Sequence, residues 1–228
     1  MIMGVIDENL YPDIASMGGL ISAMETVARR EGLNLGGVYS QYTSGPGLFI
    51  TAEVDSNRGR ISVSLGEGDR TFFLGIHQPG FTWADGATGD FHVLVEAVAA
   101  WRAGIAVDEF VGKFSFVTLG RLARSLEGGD PIAAQWDFLR KSEVFVAERE
   151  LIDSVYADER FRRLFPALSH GTLRLSTDRL GAQGAREIHI SPLVGGSYRV
   201  EDTASSIAKV AASLKEALAA AAKSLTGN

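Results

Sequence analysis

The sequence predicts an α+β fold: two pseudo-repeated three-stranded antiparallel β units packed with helices and joined by a helical middle segment. Three observations carry this. Short alternating segments recur in the same order, Leu48–Thr51 with Leu173–Ser176, Ile61–Ser64 with Ile188–Ser191, and Phe72–Leu74 with Ser197–Val200, at separations of 125 to 127 positions. The strands within each trio are separated by turn residues rather than by helices, which excludes a parallel crossover sheet. An amphipathic helical pattern follows each trio.

The first helix is expected over Ser16–Glu31, with Ser16 as its cap and Gly32 as its left-handed stop. Gly36 to Gly47 reads as a loop. Leu48 to Asp55 is a mostly apolar strand, closed by the turn cluster Asp55–Gly59. Arg60 to Leu65 alternates, Ile61, Val63 and Leu65 on one face and Ser62 and Ser64 on the other, as a half-buried strand does. Gly66–Asp69 supplies the next turn and Thr71–His77 the third strand, while Gln78–Gly89 reads as a long loop. A helix opening at Thr88 or Asp90 puts Phe91, Leu94, Val95, Val98 and Trp101 inward and stops at Gly104.

The middle third reads as helical over Val107–Phe114, Val117–Leu126, Pro131–Arg140 and Glu143–Phe165, ended by Pro166. The second trio of strands follows, then a closing helix capped by Thr203 or Ser205 with Ile207, Val210, Leu214, Leu218, Ala221 and Leu225 on one stripe. The segments group as an N-terminal unit over 1–104, a helical connector over 105–142 and a C-terminal unit over 143–228, packed as one compact domain.

Composition narrows the function classes. The chain of 228 residues is 46% hydrophobic, carries a net charge of −6 and has no cysteine. Scattered basic residues in an acidic chain give no nucleic-acid footprint. Without cysteine there is no disulfide, thiolate metal site or cysteine nucleophile. No apolar run reaches the roughly 18–20 residues that span a bilayer, and residues 1–13 lack signal-peptide character, so a cytoplasmic protein without membrane partners is expected. No dinucleotide fingerprint, P-loop, nucleophile elbow or zinc-protease helix occurs, so no cofactor is expected.

Three places hold residues with chemical capacity. His77, Asp85, Asp90 and His92 bracket the predicted loop that carries Phe81 and Trp83. Two imidazoles and two carboxylates suit a divalent metal, but a helix cap at Asp90 and a surface His92 explain the same letters, and no metal is expected. Gln135 and Asp137 flank Trp136 on a short helix, as pocket-lining groups or as a core indole with two solvated neighbours. Ser169-His170-Gly171-Thr172 puts an imidazole at a strand entrance. His170 there suits a general acid or base, with Ser169 or Asp137 orienting it; a ring bonded to loop carbonyls is the structural alternative. His189, between Ile188 and Ile190, points to the opposite sheet face. If chemistry occurs, His170 and Asp137 are the expected catalytic pair, with Trp136, Trp83, Gln135, Ser169 and His77 as binding residues.

Leu10-Tyr11-Pro12-Asp13-Ile14-Ala15, Val98-Ala99-Ala100-Trp101 with Gly104, Asp130-Pro131-Ile132-Ala133-Ala134-Gln135-Trp136, and Leu164-Phe165-Pro166 with Ser169-His170-Gly171-Thr172-Leu173-Arg174 resemble an actinobacterial family of unknown function. Its members are labelled natural product biosynthesis proteins. The resemblance covers most of the chain and implies an accessory protein that binds a small-molecule or peptide intermediate. It assigns no catalytic residue. The other reading of the residues is a non-enzymatic interaction module, chaperone-like or immunity-like, with a co-encoded protein partner. Oligomeric state stays open, with dimerisation through an edge strand as one way to cover that edge.

Overall fold

A computed structural model describes residues 6–178, 184–205 and 207–226. The chain divides into two compact units, Met1–Glu127 and Gly128–Asn228. The α+β class with antiparallel sheets is borne out, but the strand number is larger than three per unit. Among the described residues the first unit holds a six-stranded sheet and the second a five-stranded sheet, both antiparallel meanders in chain order.

The first unit runs α1 (Pro12–Ser16), α2 (Leu20–Glu31), β1 (Val38–Tyr39), α3 (Gly47–Ile50), β2 (Thr51–Ser56), β3 (Gly59–Leu65), β4 (Phe72–Gln78), β5 (Phe81–Thr88), α4 (Phe91–Ala103), α5 (Val107–Lys113), β6 (Val117–Leu119) and α6 (Ala123–Gly128). The single helix expected over Ser16–Glu31 is broken, because Gly18 and Gly19 take φ of 90° and 113°, which no helix accommodates. Residues 47–50 form a helical turn, so the first long strand starts at Thr51 rather than Leu48. The expected loop Gln78–Gly89 is mostly β5. Phe81 and Trp83 alternate with polar residues as a strand requires, and Pro79-Gly80 makes the tight turn that brings β5 back onto β4. Gly86 lies where β6 comes closest; a Cβ there would stand 2.5 Å from the Phe116 carbonyl oxygen.

Tyr11 shows what the Leu10–Ala15 segment does. Its ring is buried, and its hydroxyl lies 2.9–3.0 Å from the carbonyl oxygens of Gly66, Asp69 and Thr71 and accepts from the Thr71 amide. Asp13 receives both Nη atoms of Arg70 at 2.8 Å. The segment thus clasps the β3–β4 turn from outside the sheet.

The second unit runs α7 (Pro131–Lys141), a 3₁₀ turn at Glu143–Phe145, α8 (Arg149–Ala157), α9 (Glu159–Arg162), β7 (Phe165–Ser169), β8 (Thr172–Ser176), β9 (Glu187–Pro192), β10 (Tyr198–Asp202), β11 (Ile207–Ala211) and α10 (Leu214–Thr226). The helix expected over Glu143–Phe165 is three pieces, re-capped at Asp158, whose carboxylate accepts from the Arg160 amide. Its last residue, Phe165, opens β7, an edge strand, which is where a strand tolerates Pro166. The closing helix starts at Leu214; residues 207–211 pair with β10 instead. Their alternation serves a strand as well as a helix over so short a run.

Registry places the two units in correspondence. Ile61 faces Ile76 across β3–β4 as Ile188 faces Asp202 across β9–β10, and Val63 faces Leu74 as Ile190 faces Val200. On the other side Ala52 faces Val63 as Leu173 faces Ile190. Leu173 therefore takes the place of Ala52, four positions from the Leu48 that similarity of letters suggests. The correspondence extends beyond the trios. β1 pairs β2 as β7 pairs β8, β5 pairs β4 as β11 pairs β10, and both closing helices begin three residues after the last strand and run 13 residues. Ala23, Met24 and Val27 of α2 are buried in the first core, and Leu151, Ile152 and Val155 of α8 in the second. Each such large side chain removed from water contributes about 1.5–3 kcal/mol. The repeated element is thus helix, five strands and helix, to which the first unit adds α1, α3, α5, β6 and α6 and the second adds α7, the 3₁₀ turn and α9.

No described helix is long and apolar enough to cross a membrane.

Candidate functional site

The sequence-predicted residues fall into both units. His77 and Trp83 lie in the first. His77 is exposed on β4, its Nδ1 3.1 Å from Thr82 Oγ1. Trp83 is buried on β5, donates to Gln78 Oε1 at 3.2 Å and packs edge-on against Trp101. Asp90 caps α4 by accepting from the His92 and Val93 amides, and His92 pairs with Glu31. Among the described residues no three or more of His, Cys, Asp and Glu group as metal ligands do.

The others lie in the second unit. Asp130 caps α7 through the Ile132 and Ala133 amides, and Pro131 occupies its first turn. That start orients Gln135 and Trp136 inward and Asp137 outward. Trp136 is 1% exposed and donates from Nε1 to the carbonyls of Arg162 (3.1 Å) and Leu164 (3.2 Å). Gln135 is buried, with an Oε1 that finds no hydrogen-bond partner among the described residues. Asp137 accepts from Lys141 at 2.6 Å, one helical turn on. His170 occupies the first central position of the two-residue β7–β8 turn with φ 49°, followed by Gly171 at 75°, the pair of positive angles such a turn needs. Its Nδ1 is 3.0 Å from Ser169 Oγ. His170 and Asp137 thus each hold a neighbour in sequence, and no hydrogen bond joins them.

Two features emerge that sequence reasoning did not single out. The first is a cleft of about 370 Å³ lined by Asp130, Ile132, Ala133, Trp136, Tyr156, Arg162 and Arg163. Nearly every polar group around it is already engaged. The Asp130 carboxylate caps α7, the Trp136 indole is bonded, and Arg162 donates to the carbonyls of Tyr156 (3.1 Å) and Ala157 (3.3 Å) while stacking on the Tyr156 ring. Arg140 approaches the same ring at 4.1 Å and bonds Asp153. Of the two rim arginines, Arg163 caps α9 through its backbone amide, which donates to the Phe161 carbonyl, and its guanidinium alone makes no hydrogen bond or ion pair with the described residues. Its adjacency to Arg162 in a charged run read as a solvated helix face; only folding brings it beside Trp136.

The second is a charged cluster on the sheet face opposite the buried Ile188 and Ile190. Glu187 sits between Arg174, which donates at 2.8–3.0 Å from the facing strand, and His189 Nε2 at 2.6 Å. Burial pushes the Glu187 carboxyl up, yet the hydrogen bonds from His189 and Arg174 and the arginine charge outweigh it and hold the group below its ordinary value. Alternation of Glu187, His189 and Ser191 was the signal for a shared face. The expectation that His189 faces away from its apolar neighbours holds.

Asp13, Asp158 and Asp202 are also held below the ordinary carboxylate range, each chiefly by a hydrogen bond from an arginine, Arg70, Arg160 and Arg186 respectively. A depressed folded-state value means that the unfolded chain takes up protons first. Their stabilisation is then complete above the unfolded values near 4 and is lost as pH falls through and below them. Thermal unfolding is expected to shift to lower temperature between about pH 5 and pH 3. A midpoint constant over that window would contradict these pairings.

Residues 130–227 match the model of a family of unknown function (DUF6193). The match begins at the cap of α7 and covers the second unit, including the cleft and the charged cluster. No curated protein and no solved structure matches the chain.

Proposed function

We propose that the chain is an accessory protein of actinobacterial natural product biosynthesis, working in the cytoplasm, whose second unit binds a small-molecule or peptide intermediate in the cleft between α7, α8 and α9. The resemblance of the Leu10–Ala15, Asp130–Trp136 and Leu164–Arg174 segments to proteins so labelled supports the biological setting. The observation that carries the binding reading is Arg163, whose guanidinium has no partner among the described residues, at the rim of a cleft whose floor is indole, phenol ring and aliphatic carbon. Such a place suits a ligand with an anionic group beside an apolar body.

Binding, rather than acid–base turnover at His170 and Asp137, is what the geometry supports, since their contacts are to Ser169 and Lys141. The test is an amide-resolved NMR titration with benzoate and with benzylamine. Benzoate should shift the amides of Ile132, Ala133 and Arg163, and Arg163→Ala should weaken it by about tenfold or more, the worth of one charge-assisted hydrogen bond. Equal binding of benzylamine, or no shift at these amides, would sink the reading.

A second reading, docking of a co-encoded protein, is favoured by one observation. Phe138, Val144 and Val146 are exposed around the end of α7, with Phe138 edge-on to Phe145 at 5.8 Å.

A further inference from the structure

The repeated element ends differently in its two copies. In the first unit the edge of β5 is covered: Ala84, Asp85 and Gly86 pair with Leu119, Thr118 and Val117 of β6. Beneath that edge Trp101 of α4 packs on Phe110 of α5 at 5.0 Å, and Phe110 on Phe114 at 5.3 Å. By register, β11 corresponds to β5, with Ile207 at the place of Ala84, Ala208 at that of Asp85 and Lys209 at that of Gly86. Among the described residues no strand pairs with the far edge of β11, and Ala208, Lys209 and Val210 are exposed.

The space under this edge is open as well. A cavity of about 210 Å³ lies between the last strands and α10, lined by Val200, Asp202, Lys209, Ala220 and Ser224 among others. Counting from the start of each closing helix, Ser224 stands where α4 has Trp101. The second unit therefore presents, empty and accessible, the place that the first unit fills with its own aromatic side chain and strand.

We propose that the edge of β11 and the adjoining cavity take an extended peptide of a partner protein as an added antiparallel strand, with an acidic side chain opposite Lys209. Strand addition to a free edge supplies main-chain hydrogen bonds, and side-chain pockets supply selectivity. The first unit shows that this edge geometry accepts a strand reading apolar, polar, apolar. Lys209 sets the difference. Gly86 admits the Phe116 carbonyl closely, whereas Lys209 offers an ammonium to a cross-strand carboxylate. It also argues against a second copy as occupant, because two β11 strands paired about Lys209 would set two ammonium groups opposite each other. The site is distinct from the α7 cleft and stands or falls without it.

The probe is a fluorescein-labelled hexapeptide, Phe-Ser-Phe-Glu-Thr-Leu, which copies residues 114–119 with glutamate in the place of Val117. Its lysine counterpart and a version N-methylated at alternate amides serve as comparisons. Fluorescence anisotropy with the whole chain should show saturable binding of the glutamate peptide, about three- to tenfold tighter than the lysine peptide. N-methylation should abolish it. Lys209→Glu should reverse the order of the two peptides, which an unfolded protein would not do. Absence of saturable binding, binding indifferent to Lys209→Glu or to N-methylation, or a dimer in light scattering that Lys209→Glu alters would each overturn the proposal.

Discussion

Replacing Arg186 with methionine is expected to destabilise the second unit by about 3–5 kcal/mol, the cost of leaving a buried carboxylate without its counter-ion. Asp202 is 5% exposed, receives Arg186 Nε and Nη2 at 3.2 and 2.9 Å, and the same guanidinium also reaches the Ser224 carbonyl. The paired unit suggests the repair. Ile76 occupies the equivalent register position in the first sheet and is fully buried. The double variant Arg186→Met with Asp202→Ile should therefore recover most of the loss, because an apolar pair of similar volume needs no desolvation of charge. Hydrogen exchange read by mass spectrometry separates the units. In Arg186→Met, opening of β10 and α10 should rise by about a hundredfold or more while β3 and β4 stay unchanged. Unchanged exchange in β10 would show that the ion pair does not hold the sheet to its helix.

The second large effect is at Trp136. Trp136→Ala should cost about 3–5 kcal/mol, from the lost burial of the indole together with the cavity left behind. Trp136→Phe keeps most of the volume but leaves the carbonyls of Arg162 and Leu164 without their donor, and should cost about 1–3 kcal/mol. The order Ala worse than Phe worse than wild type, seen in exchange of α8 and α9, identifies the indole as the pin joining α7 to the start of β7. A Trp136→Ala protein as stable as wild type would return this residue to a purely ligand-binding role. That comparison also bears on the cleft, since the indole forms part of its floor.

Much of the architecture is legible in the letters. Period-two alternation at Ile61–Leu65 and Ile188–Ile190 marks strands whose apolar side chains enter the cores, and Asp90 and Asp130 mark helix starts where the caps form. The repeated order of elements was visible as well, although its first match was displaced by four residues. Alternating β formers align with one another at several offsets, and only cross-strand pairing decides which offset is physical. Short stretches mislead in both directions: Phe81–Thr88 reads as loop and Ile207–Ala211 as helix, and both are strands. Their identity comes from the neighbour they pair with, β4 in one case and β10 in the other.

The candidate sites were less legible. Gln135, Trp136, Ser169 and His170 attracted notice as reactive types in suggestive company, and two of them turn out to be held by structural duties. Trp136 ties two backbone carbonyls, and His170 takes a left-handed turn position in which histidine is tolerated better than branched residues. Arg163 and Lys209 carried no such signal, because an unpaired cation is recognisable only when its surroundings are known.

By itself, then, the sequence determined that this chain folds as helices on antiparallel sheets, and it pointed to one order of elements recurring along the chain. Those properties follow from local periodicity, turn chemistry and caps, which act over a few residues. Tertiary structure alone decided the strand count, the register that equates Leu173 with Ala52, and which cations stand free beside a cavity. Each of these depends on hydrogen bonds and contacts between segments far apart in the chain, whose partners no local pattern names.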